Sequence, residues 1–212
     1  MHATDRENSS MGRIRTFIAV DPGKELRSRC IVLQETLARA GADVKWVGPD
    51  NLHVTLLFLG EVADRTVPAV CRTVALVAGR HEGFSLDVHT VGCFPNPRRP
   101  RVVWAGIGAG AQELVALHDA LEPPLMELGC YRREERQFTP HITLGRVRGE
   151  QSIEGLAAAL ARKADWHAGS VDVRELLVLS SELMSDGPVY TVLGRGKLRR
   201  PGNPARSASA EE

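Results

Sequence analysis

Two stretches of the chain share one alternation of polar and apolar positions. Residues 52–59 (LHVTLLFL) and 138–147 (FTPHITLGRV) each set a histidine and a threonine two apart, His53 with Thr55 and His141 with Thr143, among β-branched and apolar neighbours. Such runs read as strands, and side chains two apart on a strand leave from one face, about 6 to 7 Å from each other. Each His-Thr pair is therefore expected on one face, with Val54, Leu56, Ile142 and Leu144 turned into a core on the other. One copy alone reads as a core histidine beside a hydrogen-bonded threonine. Two copies 88 residues apart point to a shared task.

The remaining pattern alternates strands and helices. Residues 13–20 predict a strand stopped by Asp21-Pro22-Gly23. A helix follows, with Asp21 as its cap, Leu26, Cys30, Leu33 and Leu37 on one face, and Gly41 at its end. Residues 43–47 predict a short strand and 48–51 a turn into the first His-Thr strand. A second helix, capped by Asp64, carries Val67, Val70, Val74 and Val77 at helical spacing. Strands are expected at 84–94 and 102–107, around a proline-stiffened loop, 95–101, bearing Arg98, Arg99 and Arg101. A third helix from residue 111 presents Leu114, Leu117, Leu121, Leu125 and Leu128, and Pro123-Pro124 predict a break or sharp kink in it. After the second His-Thr strand come a short helix at 152–163 and two strands, 171–183 and 189–197. This order predicts an α+β fold of two pseudo-symmetric lobes, each an antiparallel sheet with helices on its outer face, meeting at a central cleft that carries both His-Thr strands. Residues 1–12 and 200–212 lack apolar pattern and are expected to be disordered extensions of one bilobal unit spanning 13–199.

Composition narrows the function classes. With 212 residues, 43% apolar and 25% charged, the chain has the make-up of a globular domain with a sizeable core. A net charge of +1 speaks against a broad electrostatic grip on a nucleic-acid backbone, so any RNA contact should be local. Cys30, Cys71, Cys93 and Cys130 are scattered, with no C-x-x-C pair, and read as reduced thiols in a cytoplasmic protein. No apolar run suits a membrane span or a signal peptide. Monomer is the default expectation.

The stretches Leu52-His53-Val54-Thr55-Leu56-Leu57-Phe58-Leu59-Gly60 and Phe138-Thr139-Pro140-His141-Ile142-Thr143-Leu144-Gly145-Arg146 resemble the two signature strands of the 2H phosphoesterases. Within that superfamily the chain most resembles the LigT-like RNA 2',3'-cyclic phosphodiesterases, also called 2'-5' RNA ligases. Phe17 to Val20, Lys45 to Val47, Phe94 to Trp104 and Gly187 to Tyr190 carry the resemblance further, in the same order. It implies hydrolysis of terminal RNA 2',3'-cyclic phosphates to 2'-phosphomonoesters, reversible 2'-5' ligation, and no metal or cofactor. By the same resemblance His53 is the proton donor to the departing 3'-oxygen, His141 the proton acceptor from water, and Thr55, Thr143 and Arg146 hold the phosphate. Tyr190 and Phe94 are candidates to stack on a base.

Two imidazoles suit this chemistry, because in-line displacement needs a base on one side of phosphorus and an acid on the other. Other readings remain open at this point. They are a phosphodiesterase for 2'-5' oligonucleotides or another small cyclic phosphate, a nucleotide-binding module without turnover, and an interaction scaffold with a coincidental motif pair. A zinc hydrolase ranks lower, since zinc sites take at least three protein ligands and only two histidines share a setting. His2, His81, His89, His118 and His167 are read as non-catalytic.

Overall fold

The computed structural model describes residues 12–133, 135–185, 187–200 and 202; the expectations for the two tails lie almost entirely outside them. Nine strands and four helices alternate along the described chain: β1 Arg13–Val20, α1 Gly23–Ala38, β2 Val44–Trp46, β3 Val54–Ala63, α2 Val67–Ala78, β4 Phe84–Phe94, β5 Val102–Ile107, α3 Ala111–Glu127, β6 His141–Val147, α4 Ile153–Ala161, β7 His167–Val173, β8 Glu175–Met184 and β9 Gly187–Lys197.

The strands run in the order β7-β4-β5-β6-β3-β1-β8-β9, all neighbours antiparallel, with β2 also paired to β6. The two central strands, β3 and β6, are joined at one register position, Val54 opposite Ile142, whereas β1 and β3 pair over most of their length. The sheet is thus two sheets meeting edge to edge, as the order of elements predicts. Helices α1 and α4 cover the lobe of β7, β4 and β6, while α2 and α3 cover the lobe of β3, β8 and β9. Each lobe therefore draws elements from both halves of the sequence. One apolar core runs between helices and sheet, with Leu33, Leu37, Val54, Leu114, Leu121, Ile142 and Leu144 all buried. A second, small cluster of Phe17, Ala19, Leu177 and Leu179 lies apart from it, with Tyr190 packed against it.

Several boundaries depart from the sequence reading. α3 runs unbroken through Pro123 and Pro124. Each proline removes an N–H that would donate four residues back, at a cost of about 3 kcal/mol in a free helix. Here Leu114, Leu117, Leu121 and Leu125 are fully buried on one face, and that packing prevails. Glu122, almost fully buried, adds a staple by accepting hydrogen bonds from Tyr131 Oη at 3.0 Å and Arg133 Nε at 3.1 Å. The single strand expected at 171–183 is two, β7 and β8, separated at Arg174 because β7 pairs with β4 and β8 with β1. The His-Thr strands begin later than expected, at Val54 and His141, so His53 stands just before its strand and Phe138 lies in the approach to the other. Asp64 makes no side-chain cap; it opens a 3-10 turn that leads into α2. Asp21 does serve the start of α1, its Oδ1 accepting from Gly23 N at 2.7 Å.

The four cysteines are free, and burial raises the Cys30 thiol to about 12, so it stays protonated. No helix among the described residues is long and apolar enough to cross a membrane.

Candidate active site

The Val54 to Ile142 pair sets the geometry of the cleft. In an antiparallel pair, one step either way places Thr55 opposite His141 and His53 opposite Thr143, all on the face that Val54 and Ile142 leave. The two histidines then occupy diagonal positions, which lie roughly 7 to 8 Å apart in a regular pair. Val54 and Ile142 are 0% exposed, while the four polar residues are partly exposed.

Each histidine is fixed in the same way. His53 Nδ1 lies 2.7 Å from Asn51 O, and His141 Nδ1 lies 2.8 Å from Thr139 O, in both cases the carbonyl two residues earlier. A carbonyl only accepts, so Nδ1 donates and Nε2 is the nitrogen left for a ligand. Asn51 also donates from Nδ2 to Pro188 O at 2.8 Å, tying the turn behind His53 to β9.

Aromatic rings flank both imidazoles. Tyr190 stands edge-on to His53 at 5.4 Å, with Phe17 at 4.9 Å, and Phe94 stands edge-on to His141 at 5.2 Å. Burial lowers the pKa of both histidines, only partly opposed by the carbonyl hydrogen bonds. Among the smaller contributions, Arg27 and His141 lower His53 while Asp21 raises it, and Arg146 lowers His141.

Arg146 reaches this face through a bulge. Five residues from His141 is an odd spacing, which in a regular strand would aim Arg146 at the core. The register between β5 and β6 slips between Val103 and Trp104, which face Gly145 and Thr143, so Leu144 is extra. Leu144 and Gly145 are consequently both buried and Arg146 is exposed on the cleft side. A side chain at Gly145 would come within 2.6 Å of Val44 Cγ1 and 2.9 Å of Trp46 Cε3. The bulge is held from behind by the buried amide of Gln34, whose Nε2 donates to Leu144 O at 2.7 Å and Val47 O at 2.9 Å.

β3 repeats the device. Its register with β1 slips between Ile18 and Ala19, Leu56 and Leu57 are both buried, and Phe58 emerges where Arg146 does on β6. Phe58 is 41% exposed, and the Arg15 guanidinium lies 4.8 Å over its ring. The two halves thus present His53-Thr55-Phe58 and His141-Thr143-Arg146. This difference, with Tyr190 on one histidine and Phe94 on the other, breaks the symmetry of the cleft.

A cavity of about 880 Å³ takes in His53, Thr55, Phe58, Thr143, Arg146 and Tyr190, and a second of about 650 Å³ takes in Thr55, Phe58, Phe94 and His141. Every residue expected at the site from sequence is accordingly in the cleft. Sequence reasoning passed over Phe58, Asn51 and Gln34. The apolar doublet Leu56-Leu57, and a glycine inside a strand at Gly145, were the signals of the bulges. His118, Asp119 and Glu122 bring ligand atoms within 4.8 Å of one another in the second cavity, but Glu122 is engaged by Tyr131 and Arg133, and His118 is stacked on Phe138 at 4.4 Å.

Two edge-joined sheets with paired His-Thr strands fit the resemblance to the 2H phosphoesterases. A sequence model of LigT like phosphoesterases matches residues 20–104 and 107–190, and the chain belongs to that family. Among its relatives, the RNA 2',3'-cyclic phosphodiesterase of Methanothermobacter thermautotrophicus is 36% identical over 84% of this chain and 96% of its own length. That of Aeropyrum pernix is 36% identical over 76% of this chain and 90% of its own. The structure of Escherichia coli LigT complexed with 3'-AMP superposes with a TM-score of 0.69, at 30% identity, over 88% of this chain and 98% of the other. That of TT0787 from Thermus thermophilus superposes with a TM-score of 0.74, at 29% identity, over 89% and 100%.

Proposed function

We propose that this protein is an RNA 2',3'-cyclic phosphodiesterase in which His53 and His141 act as acid and base on opposite sides of one phosphorus. The observation that carries this reading is the shared fixing of both rings. Each Nδ1 is committed to a carbonyl two residues back, so both imidazoles offer Nε2 to one cleft, each across from the other strand's threonine.

His141, neutral, takes a proton from water as the water oxygen bonds to phosphorus. His53, protonated, gives its Nε2 proton to O3' as the P–O3' bond breaks, and the product carries the phosphate on O2'. The two histidines end with their protonation states exchanged and return to the start through solvent. Thr55 and Thr143 donate to the non-bridging oxygens, where charge must be held during displacement, and Arg146 adds its positive charge. A 5'-hydroxyl in the place of water gives a 2'-5' phosphodiester by the same proton transfers. Acid-base catalysis of this kind is worth typically about 10² to 10⁴ in rate for each group.

Support comes from the family, whose relatives carry this activity in their names, and from the lowered pKa of His141, which keeps that base neutral near neutral pH. The test is the product. Wild-type protein with excess chelator should convert an oligoribonucleotide ending in a 2',3'-cyclic phosphate to the 2'-phosphate, identified by phosphorus NMR. A 3'-phosphate product, or turnover that chelator abolishes, would refute the mechanism.

A further inference from the structure

One end of the cleft is a cationic rim. Lys45 on β2 and Val102 on β5 both face Arg146 in register across β6, so three adjacent strands, each about 4.8 Å from the next, place Lys45 beside Arg146 and bring the start of β5 alongside. Arg148 is two residues further along the chain from Arg146, its N–H held by Asp43 O at 2.9 Å. The loop between β4 and β5 lies at the same end of the sheet. It leaves Phe94, the ring neighbour of His141, and returns at Arg101, whose N–H donates to Phe94 O and whose carbonyl accepts from Val147 N at 3.0 Å.

The backbone of that loop is braced. Asn96 Oδ1 accepts from Arg98 N at 3.1 Å and Arg99 N at 3.2 Å, Pro95, Pro97 and Pro100 stiffen it, and Pro100 is buried. Lys45, Arg98, Arg99, Arg101, Arg146 and Arg148 are all exposed, and among the described residues none is ion-paired to a carboxylate. The opposite end of the cleft differs, since the cavity beside His141 is lined by Asp119, Glu122 and Glu135 together with Arg133 and Arg136. On a chain of net charge +1, positive charge at one end of a phosphate-handling cleft gives that cleft a polarity.

We propose that this rim is the track along which the RNA backbone leaves the active site, its arginines contacting the phosphodiesters on the 5' side of the cyclised terminal nucleotide. The assignment rests on the proposed function above. Arg146 stands at the junction, shared between the reacting phosphate and the track. Arginine forks suit phosphate oxygens, and contacts to a backbone carry no base preference, so the track serves RNA ends of any sequence.

The experiment compares a mononucleoside 2',3'-cyclic phosphate with a hexaribonucleotide bearing the same terminus, across a salt series, for the wild type and the triple variant Arg98→Ala, Arg99→Ala, Arg148→Ala. The track predicts that kcat/KM for the hexanucleotide falls about tenfold at low salt in the triple variant. Its log–log salt dependence should flatten by about 0.7 for each phosphate that the variant no longer neutralises. Turnover of the mononucleotide should stay within about twofold, and lysine at the same three positions should keep most of the salt dependence. Equal losses on both substrates, or an unchanged salt slope for the hexanucleotide, would overturn the track while leaving the proposed function standing. Failure of the wild type on both substrates would overturn both.

Discussion

Thr55 lies opposite His141, and Thr143 opposite His53, across the single register position that joins the two lobes. Each threonine is therefore placed to serve the phosphate against the other lobe's histidine, and the two lobes must hold this register for either pair to act. Thr55→Val and Thr143→Val keep β-branching and volume while removing the donor. Each is expected to lower kcat by about 10²-fold, the typical loss for one donor to a developing oxyanion, with little change in melting temperature. Steady-state kinetics beside thermal melts check this, and a variant that loses stability instead would assign the threonine to the fold.

The bulge that aims Arg146 should be as sensitive as Arg146 itself. Gly145→Ala forces Val44 and Trp46 aside and is expected to cost about 1 to 3 kcal/mol. Gln34→Leu removes the amide donor shared by Leu144 O and Val47 O, of which Leu144 O keeps Val47 N at 2.9 Å, with a cost of about 1 to 3 kcal/mol. Both should raise KM for the cyclic phosphate although neither side chain faces it. Denaturant melts and KM measured together test the link; lost stability at unchanged KM would break it.

Tyr190 packs edge-on against His53 and Phe17, which makes its ring a wall for the histidine. Tyr190→Phe should retain most of kcat, and Tyr190→Ala should lose about tenfold or more as His53 gains freedom. Loss of kcat in the phenylalanine variant as large as in the alanine variant would instead put the hydroxyl in the chemistry.

Burial depresses both histidines, so the folded protein binds fewer protons than the unfolded chain below about pH 6.5. Stability then falls as pH drops from about 6.5 through the lowered values, and His53→Asn or His141→Asn should soften that fall. In kcat/KM, the base His141 must be neutral and the acid His53 protonated, so the acid limb belongs to His141 and the alkaline limb to His53. With both values lowered, the optimum of the free enzyme is expected on the acid side of neutrality. An optimum at or above about pH 8 would contradict the assignment.

The alternation around His53 and His141 was enough to place four polar residues on one face, because one face of each strand is buried and the period is strict. Arg146 was legible only by resemblance, since its odd spacing makes sense after the Leu144 bulge. Phe58 shares its position through Leu56-Leu57, a doublet that looks like ordinary strand core. The proline pair misled for a different reason: local propensity at Pro123-Pro124 was outweighed by four buried leucines contributed by the tertiary fold. Nor does periodicity reveal that 171–183 changes partners at Arg174, since both pieces are apolar alternations and only the topology separates them. Gln34 looked like one polar position on a helix, and its role depends on two carbonyls from distant strands.

The most direct test of the two-histidine account is turnover of a 2',3'-cyclic phosphate RNA by wild type, His53→Ala, His141→Ala and the double variant, at matched folding. Each single variant should lose about 10² to 10⁴ in kcat. The double variant should lose little more than the worse single, because acid and base act in one transition state. Full activity in either single variant would contradict the account.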